Sequence, residues 1–193
     1  MNDARAMPTV VIVPGLRDHV ADHWQTHLAA AIPGARSVPP MGRANLDCAA
    51  RVGALENVLA AIEPPVVLVA HSGGAITVVH WALRYSRPIH GALLATPADL
   101  EQPLPDGYPT AESLAAGGWL PVPRGRLPFP SIVAASRNDP LCGFTRAVRL
   151  ATGWGSRFVD LGNVGHLNPA SGYGVWQRAE SLIAELVSAS AAA

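Results

Sequence analysis

Ser72, Asp139 and His166 are the residues around which this chain can organise chemistry. "VVLVAHSGGA", residues 66–75, ends an apolar run on His71 and Ser72 and passes at once into two glycines and a helix-forming stretch. In an open parallel sheet, ligands bind beyond the carboxyl ends of the strands, which is where Ser72 falls if this run is a central strand. A sharp strand-to-helix turn holds a serine in a strained conformation, and it needs small residues two positions to either side so that strand and helix can pass closely. Ala70, Gly73 and Gly74 meet that need, with Ala70 standing where the pattern G-x-S-x-G has its first glycine. The competing role for Ser72 is that of an ordinary helix N-cap.

A serine hydroxyl is a poor nucleophile until a base removes its proton, and the base needs a third group to hold its tautomer. Two later loops offer both. "SIVAAS" (131–136) is followed by "RNDP" with Asp139, and "RFVDL" (157–161) by "GNVGHLNPASGYG" with His166. Serine, then acid, then histidine, each after a later strand, is the order of acyl-transfer enzymes built on such a turn. Asp99 and Asp160 are alternative acids, and Asp139 could instead form an Asx turn before Pro140. The oxyanion that develops on an attacked carbonyl needs preorganised donors. The amides of Gly73 and of Leu16, in "PGLRDH" after the first strand, are the candidates, with Gly15 letting the backbone approach the substrate.

These residues need strands and helices to place them. β-branched runs at 9–13, 35–38, 66–70, 89–95, 131–136 and 157–161 alternate with helical patterns at about 23–32, 46–61, 73–85, 141–152 and 173–189. Repeated strand–helix units of this kind predict an α/β fold, a mostly parallel six-stranded sheet with helices on both faces. The middle strands are apolar nearly throughout, as strands covered on both faces are. Asp22 and Gln25 have the spacing of a capping box at the first helix. The Pro- and Gly-rich segment 97–130 is the one long connection, with a helical turn or two around "TAESLAA". A loop of that length is usually functional, and Trp119 within it is expected to line an apolar acyl pocket as part of a lid or wall.

The 193 residues fit one domain, 1–193. Fourteen basic and fourteen acidic side chains cancel, without runs of either sign, so the chain lacks the basic footprint of a nucleic-acid binder. No apolar run is long enough to span a bilayer, and the N-terminus shows no signal-peptide pattern. Cys48 and Cys142 are far apart, which suits a reducing compartment and a cytoplasmic location. His19, His23 and His27 recur every fourth residue, a spacing that could hold zinc on one helix face. With Asp22 as the cap, however, His19 falls outside the helix, and "HWQTH" lacks the glutamate of H-E-x-x-H. No metal or other cofactor is expected. Cys142 has no elbow and is a poor candidate nucleophile; Trp24, Trp81, Trp154 and Trp176 are expected to pack. Nothing in the sequence speaks to oligomeric state.

"VIVPGL…DHWQ", "VVLVAHSGGA…VVHWA", "ALLATPAD", "LPFPSIVAASRNDP" and "GHLNPASGYGVW" together resemble the small α/β-hydrolase family of retinoblastoma-binding protein 9-like serine hydrolases, over almost the whole chain. The resemblance implies a compact three-layer α/β-hydrolase fold, with Ser72, Asp139 and His166 at the positions of the family triad. The partner-binding L-x-C-x-E motif of the namesake has no counterpart, since "LDCAA" lacks the glutamate. The expected activity is hydrolysis of small or medium carboxylic esters through an acyl-enzyme. Amides, peptides or thioesters are alternative substrates for the same machinery, and a protein-interaction module with incidental hydrolysis is an alternative of another class.

Overall fold

The computed structural model describes residues 7–17 and 20–189. Six strands, β1 (Thr9–Val13), β2 (Arg36–Ser37), β3 (Val66–His71), β4 (Gly91–Ala95), β5 (Ser131–Ala135) and β6 (Arg157–Asp160), form one sheet in the order β2-β1-β3-β4-β5-β6. Every pairing is parallel. Helices α1 (Trp24–Ala31), α2 (Cys48–Ala60), α3 (Gly73–Arg84), α4 (Ala111–Ala116), α5 (Phe144–Trp154) and α6 (Arg178–Ala189) connect or follow the strands.

The two-residue period of a strand sends alternate side chains to opposite faces. In β3, Val66, Leu68 and Ala70 join a core with residues of α2, α3 and α5, while Val67 and Val69 join a second core with Trp24 and Leu28 of α1 and Leu182 and Leu186 of α6. β3, β4 and β5 are buried at every residue, which is why their sequences lack polar alternation. β3 lies centrally, between β1 and β4, so its carboxyl end opens between two neighbours rather than at an edge.

Three element ends differ from the sequence expectation. The first helix is capped by His23, whose Nδ1 accepts from the Gln25 amide at 3.2 Å, and Asp22 is exposed. The reason is Gln25: its side chain turns inward, where Nε2 donates to the carbonyls of Val13 at 3.1 Å and Val69 at 3.0 Å. It fastens the end of β1 to that of β3 rather than closing a capping box. α5 starts at Phe144 because Asp139 Oδ1 accepts from the Leu141 amide and holds the intervening residues in a turn. The last helix starts at Arg178, after a short 3-10 turn at Pro169–Ser171 that ends on left-handed Gly172 (φ 82°).

Candidate active site

Ser72 sits between β3 and α3 with φ 57° and ψ −126°, and makes no capping bond with its side chain. A non-glycine residue there stores strain, which its surroundings must hold in place. They do so through two close approaches. A Cβ on Gly74 would lie 2.3 Å from the Val13 carbonyl oxygen and 2.5 Å from that of Pro14, and one on Gly73 would lie 2.6 Å from Leu16 Cγ. The helix can therefore begin immediately behind β1 only with glycine at 74, whereas a side chain at 73 would have to push the Leu16 side chain aside. The Ser72 amide donates to the Ala95 carbonyl at 3.0 Å, tying the turn to the end of β4.

The freed hydroxyl meets an imidazole. Ser72 Oγ lies 2.8 Å from His166 Nε2, and His166 Nδ1 lies 2.9 Å from both carboxylate oxygens of Asp139. The structure thus joins the three residues singled out in the sequence into one hydrogen-bonded chain. His166 and the Asp139 side chain are almost wholly buried, and Ser72 is half-buried at the mouth. The alternative acids are committed elsewhere: Asp99 pairs with Arg146 and Asp160 with Arg137.

Residues not anticipated from the sequence hold this chain in place. The loop carrying Asp139 and the loop carrying His166 are sewn together. Asn138 Oδ1 accepts from the Gly165 amide at 2.7 Å, Ser136 Oγ accepts from the Val164 amide at 3.1 Å, and the Arg137 amide donates to the Gly162 carbonyl at 2.8 Å. The His166 amide donates to Ser171 Oγ at 3.0 Å. Its carbonyl accepts from His71 Nε2 at 2.9 Å and from Thr96 Oγ1 at 3.4 Å. A carbonyl can only accept, so His71 is protonated at Nε2. His71 lies between His23 and His166, with ring centroids 4.7 and 4.8 Å away. Burial, and then the neighbouring His166 and His23, push its pKa well below the ordinary 6.5, so it remains neutral.

The Leu16 and Gly73 backbones stand side by side, since a Cβ on Gly73 would be 3.3 Å from the Leu16 nitrogen. Gly73 is the first residue of α3, whose amide has no partner within the helix. Gly15 reaches the same spot, its missing Cβ position 3.2 Å from Ser72 Cβ. The Leu16 carbonyl accepts from buried Arg51 at 3.1 Å, which fixes the loop from behind.

A cavity of about 220 Å³ opens over Ser72. Leu100, Leu104, Tyr108 and Pro109, from the long 97–130 connection, form part of its wall, and Gly15, Leu16 and His166 line it from the site side. Trp119 does not line it, contrary to the sequence expectation. Its ring is fully buried against His80, and Nε1 donates to the Leu46 carbonyl at 2.7 Å. Gly117 is the cause: its carbonyl accepts from the Cys48 amide, and the Leu46 oxygen lies where its Cβ would be, so residues 117–119 are drawn onto the start of α2 and away from Ser72.

Cys142 is buried, and burial, with Asp99 and Asp139 nearby, pushes its thiol up to about 12, which leaves no thiolate to act as nucleophile. His19 lies outside the described residues. His23 and His27 are at the cap and in the first turn of α1, and among the described residues no group of three or more His, Cys, Asp or Glu is placed to hold a metal ion. Among the described residues no helix is long and apolar enough to cross a membrane.

A strained serine at the end of a central parallel strand, hydrogen-bonded to a later-loop histidine, is the arrangement of an α/β-hydrolase fold, and the serine hydrolase family model matches residues 10–185. The chain belongs to that family. It is similar to a protein described as a YdeN-like hydrolase of Pectobacterium atrosepticum, with 31% identity over 94% of this chain and 91% of that one and a TM-score of 0.80. The ydeN gene product of B. subtilis shares the fold at 16% identity and a TM-score of 0.74, covering 94% of this chain and 100% of its own. A Bacillus cereus carboxylesterase shares it at 15% identity and a TM-score of 0.57, covering 93% and 88%. A comparison with curated protein sequences gives no match.

Proposed function

We propose that the protein hydrolyses small or medium carboxylic esters, with Ser72 as nucleophile, His166 as general base and acid, and Asp139 orienting His166. The observation that carries this is the 2.8 Å contact between Ser72 Oγ and His166 Nε2, made by a serine held at φ 57°. Oγ attacks the acyl carbon while its proton passes to Nε2. The amides of Leu16 and Gly73 stabilise the resulting oxyanion, a contribution of about 3 kcal/mol per donor. The ester C–O bond breaks as Nε2 returns the proton to the departing alcohol. Water then gives a proton to Nε2 and adds its oxygen to the acyl carbon. The bond to Oγ breaks, the carboxylic acid leaves, and the proton goes back to Ser72. Asp139, through its contacts with Nδ1, orients and steadies the imidazolium.

The leucine-rich cavity wall favours an ester with an apolar portion. The blocks around "DHWQ" and "GHLNPASGYG" support a finer placement beside the retinoblastoma-binding protein 9-like hydrolases. One sheet running through all six strands supports a single domain, and two buried, unbridged cysteines support a cytoplasmic location.

The experiment is labelling by a fluorophosphonate probe together with turnover of a panel of activated esters, amides and thioesters. The wild type is expected to label and to turn over esters, and Ser72→Ala to do neither. A wild-type protein that neither labels nor turns over any member of the panel overturns the proposal in favour of an interaction module. Faster turnover of amides or thioesters than of matched esters redirects it to those substrates.

A further inference from the structure

The cavity over Ser72 is lined by two guanidinium groups, Arg17 and Arg43, and by no carboxylate among the described residues. The chain as a whole has zero formal net charge, so two arginines on one cavity are not a by-product of a basic protein. Five other arginines are spent on acids, Arg87 on Glu56, Arg124 and Arg146 on Glu101, Arg137 on Asp160, and Arg157 on Glu185; what sets Arg17 and Arg43 apart from the remaining arginines is that they line the cavity. Among the described residues Arg17 and Arg43 have no ion-pair partner, and both are exposed at the cavity.

Arg17 is also oriented. Its Cζ stands 4.7 Å from the centroid of the Tyr108 ring. Stacking of this kind fixes the position of the guanidinium while leaving its in-plane N–H edges to donate, and those edges match the two oxygens of a carboxylate. Tyr108 belongs to the 97–130 connection, and Arg17 directly follows Leu16. The stack therefore joins the two walls of the cavity and places a cation on its lining. The cavity otherwise offers apolar surface from Leu100, Leu104 and Leu141. Neutral His71 adds no charge of its own.

We propose that the substrates are esters that also carry a carboxylate, on the acyl or the alcohol side, bound by Arg17 and Arg43 while the ester carbonyl lies at Ser72. This rests on the hydrolase role of Ser72 and names the substrate class for it.

The test compares kcat/KM for matched pairs, each corrected for its spontaneous hydrolysis: mono-p-nitrophenyl adipate against p-nitrophenyl hexanoate, and 4-carboxyphenyl butyrate against phenyl butyrate. The wild type should prefer the anionic member of at least one pair by about tenfold at low salt. Raising the salt from about 20 mM to about 0.5 M should shrink that ratio, because exposed charges are screened. Arg17→Gln and Arg43→Gln should each lower the ratio about three- to tenfold, and Arg43→Glu should lower it further. The salt series on the wild type keeps the test open if a variant fails to fold. Turnover of the neutral esters with no anionic preference, or a preference that survives both glutamine variants, overturns the proposal alone. Failure to turn over any ester, with no fluorophosphonate labelling, overturns the hydrolase role and this proposal with it.

Discussion

His71 donates from Nε2 to the backbone carbonyl of His166 across 2.9 Å, so the residue next to the proposed nucleophile holds the residue proposed as its base. The contact links the end of β3 to the loop after β6, 95 residues apart in the chain. Replacing His71 with Phe keeps a ring but removes the donor. We expect kcat on an activated ester to fall about ten- to hundredfold with KM little changed, in line with the cost of losing groups that orient a reactive histidine. An unaltered kcat would show that Thr96 and the loop contacts hold His166 without help.

Buried neutral histidines also set a pH dependence of stability. The pKa values of both His71 and His80 are lowered from 6.5, chiefly by burial. Below 6.5 the unfolded chain takes up protons that the folded one does not, so stability is complete above that value and is lost as the pH falls toward the folded-state pKa values. Urea midpoints should drop between pH 7.5 and pH 5, and the drop should be smaller in His80→Leu. Equal slopes in the two proteins would remove His80 from the account.

Gly74 is expected to tolerate no side chain. A Cβ there meets two backbone oxygens of the β1 end, at 2.3 and 2.5 Å, and neither can swing aside as a side chain would. Gly74→Ala should cost about 2–3 kcal/mol or more of stability, read from urea unfolding, and should abolish fluorophosphonate labelling in whatever fraction still folds.

Gln25 gives a second measurement of what the turn depends on. Gln25→Ala deprives the carbonyls of Val13 and Val69 of their side-chain donor in a buried setting. A loss of about 0.5–1.5 kcal/mol per hydrogen bond is the expected scale, with the midpoint of denaturation as the readout.

Trp119 separates packing from pocket. Trp119→Phe removes the bond to the Leu46 carbonyl and should lower stability by about 1–3 kcal/mol, while leaving the preference among acyl-chain lengths where it was. Leu104→Ala, in the cavity wall, should move that preference.

Much of the site was legible because its chemistry constrains sequence locally. The elbow needs small residues at fixed offsets from Ser72, and the acid and base need loops after later strands, so three residues spread over 95 positions could be aligned with one another before their contact was seen. The apolar β3, β4 and β5 were equally clear, since burial on both faces leaves no polar alternation to misread. What escaped notice depended on tertiary direction. Gln25 has the right spacing for a cap, and only the fold shows that its amide turns inward to two carbonyls. Trp119 and Tyr108 stand in one Pro-rich segment with similar surroundings in sequence, and the pairing of Gly117 with Cys48, which sends one inward and leaves the other at the cavity, is a long-range backbone contact. His71 directly precedes Ser72 in the sequence, but its role depends on a carbonyl far along the chain.

The stitching between residues 136–138 and 162–165 makes Asp139 and His166 passengers on a single platform. Insertions or exchanges confined to either half would tilt both groups at once, and the 97–130 connection is tied to the same region, since the Asp99 amide donates to the Leu141 carbonyl at 2.9 Å.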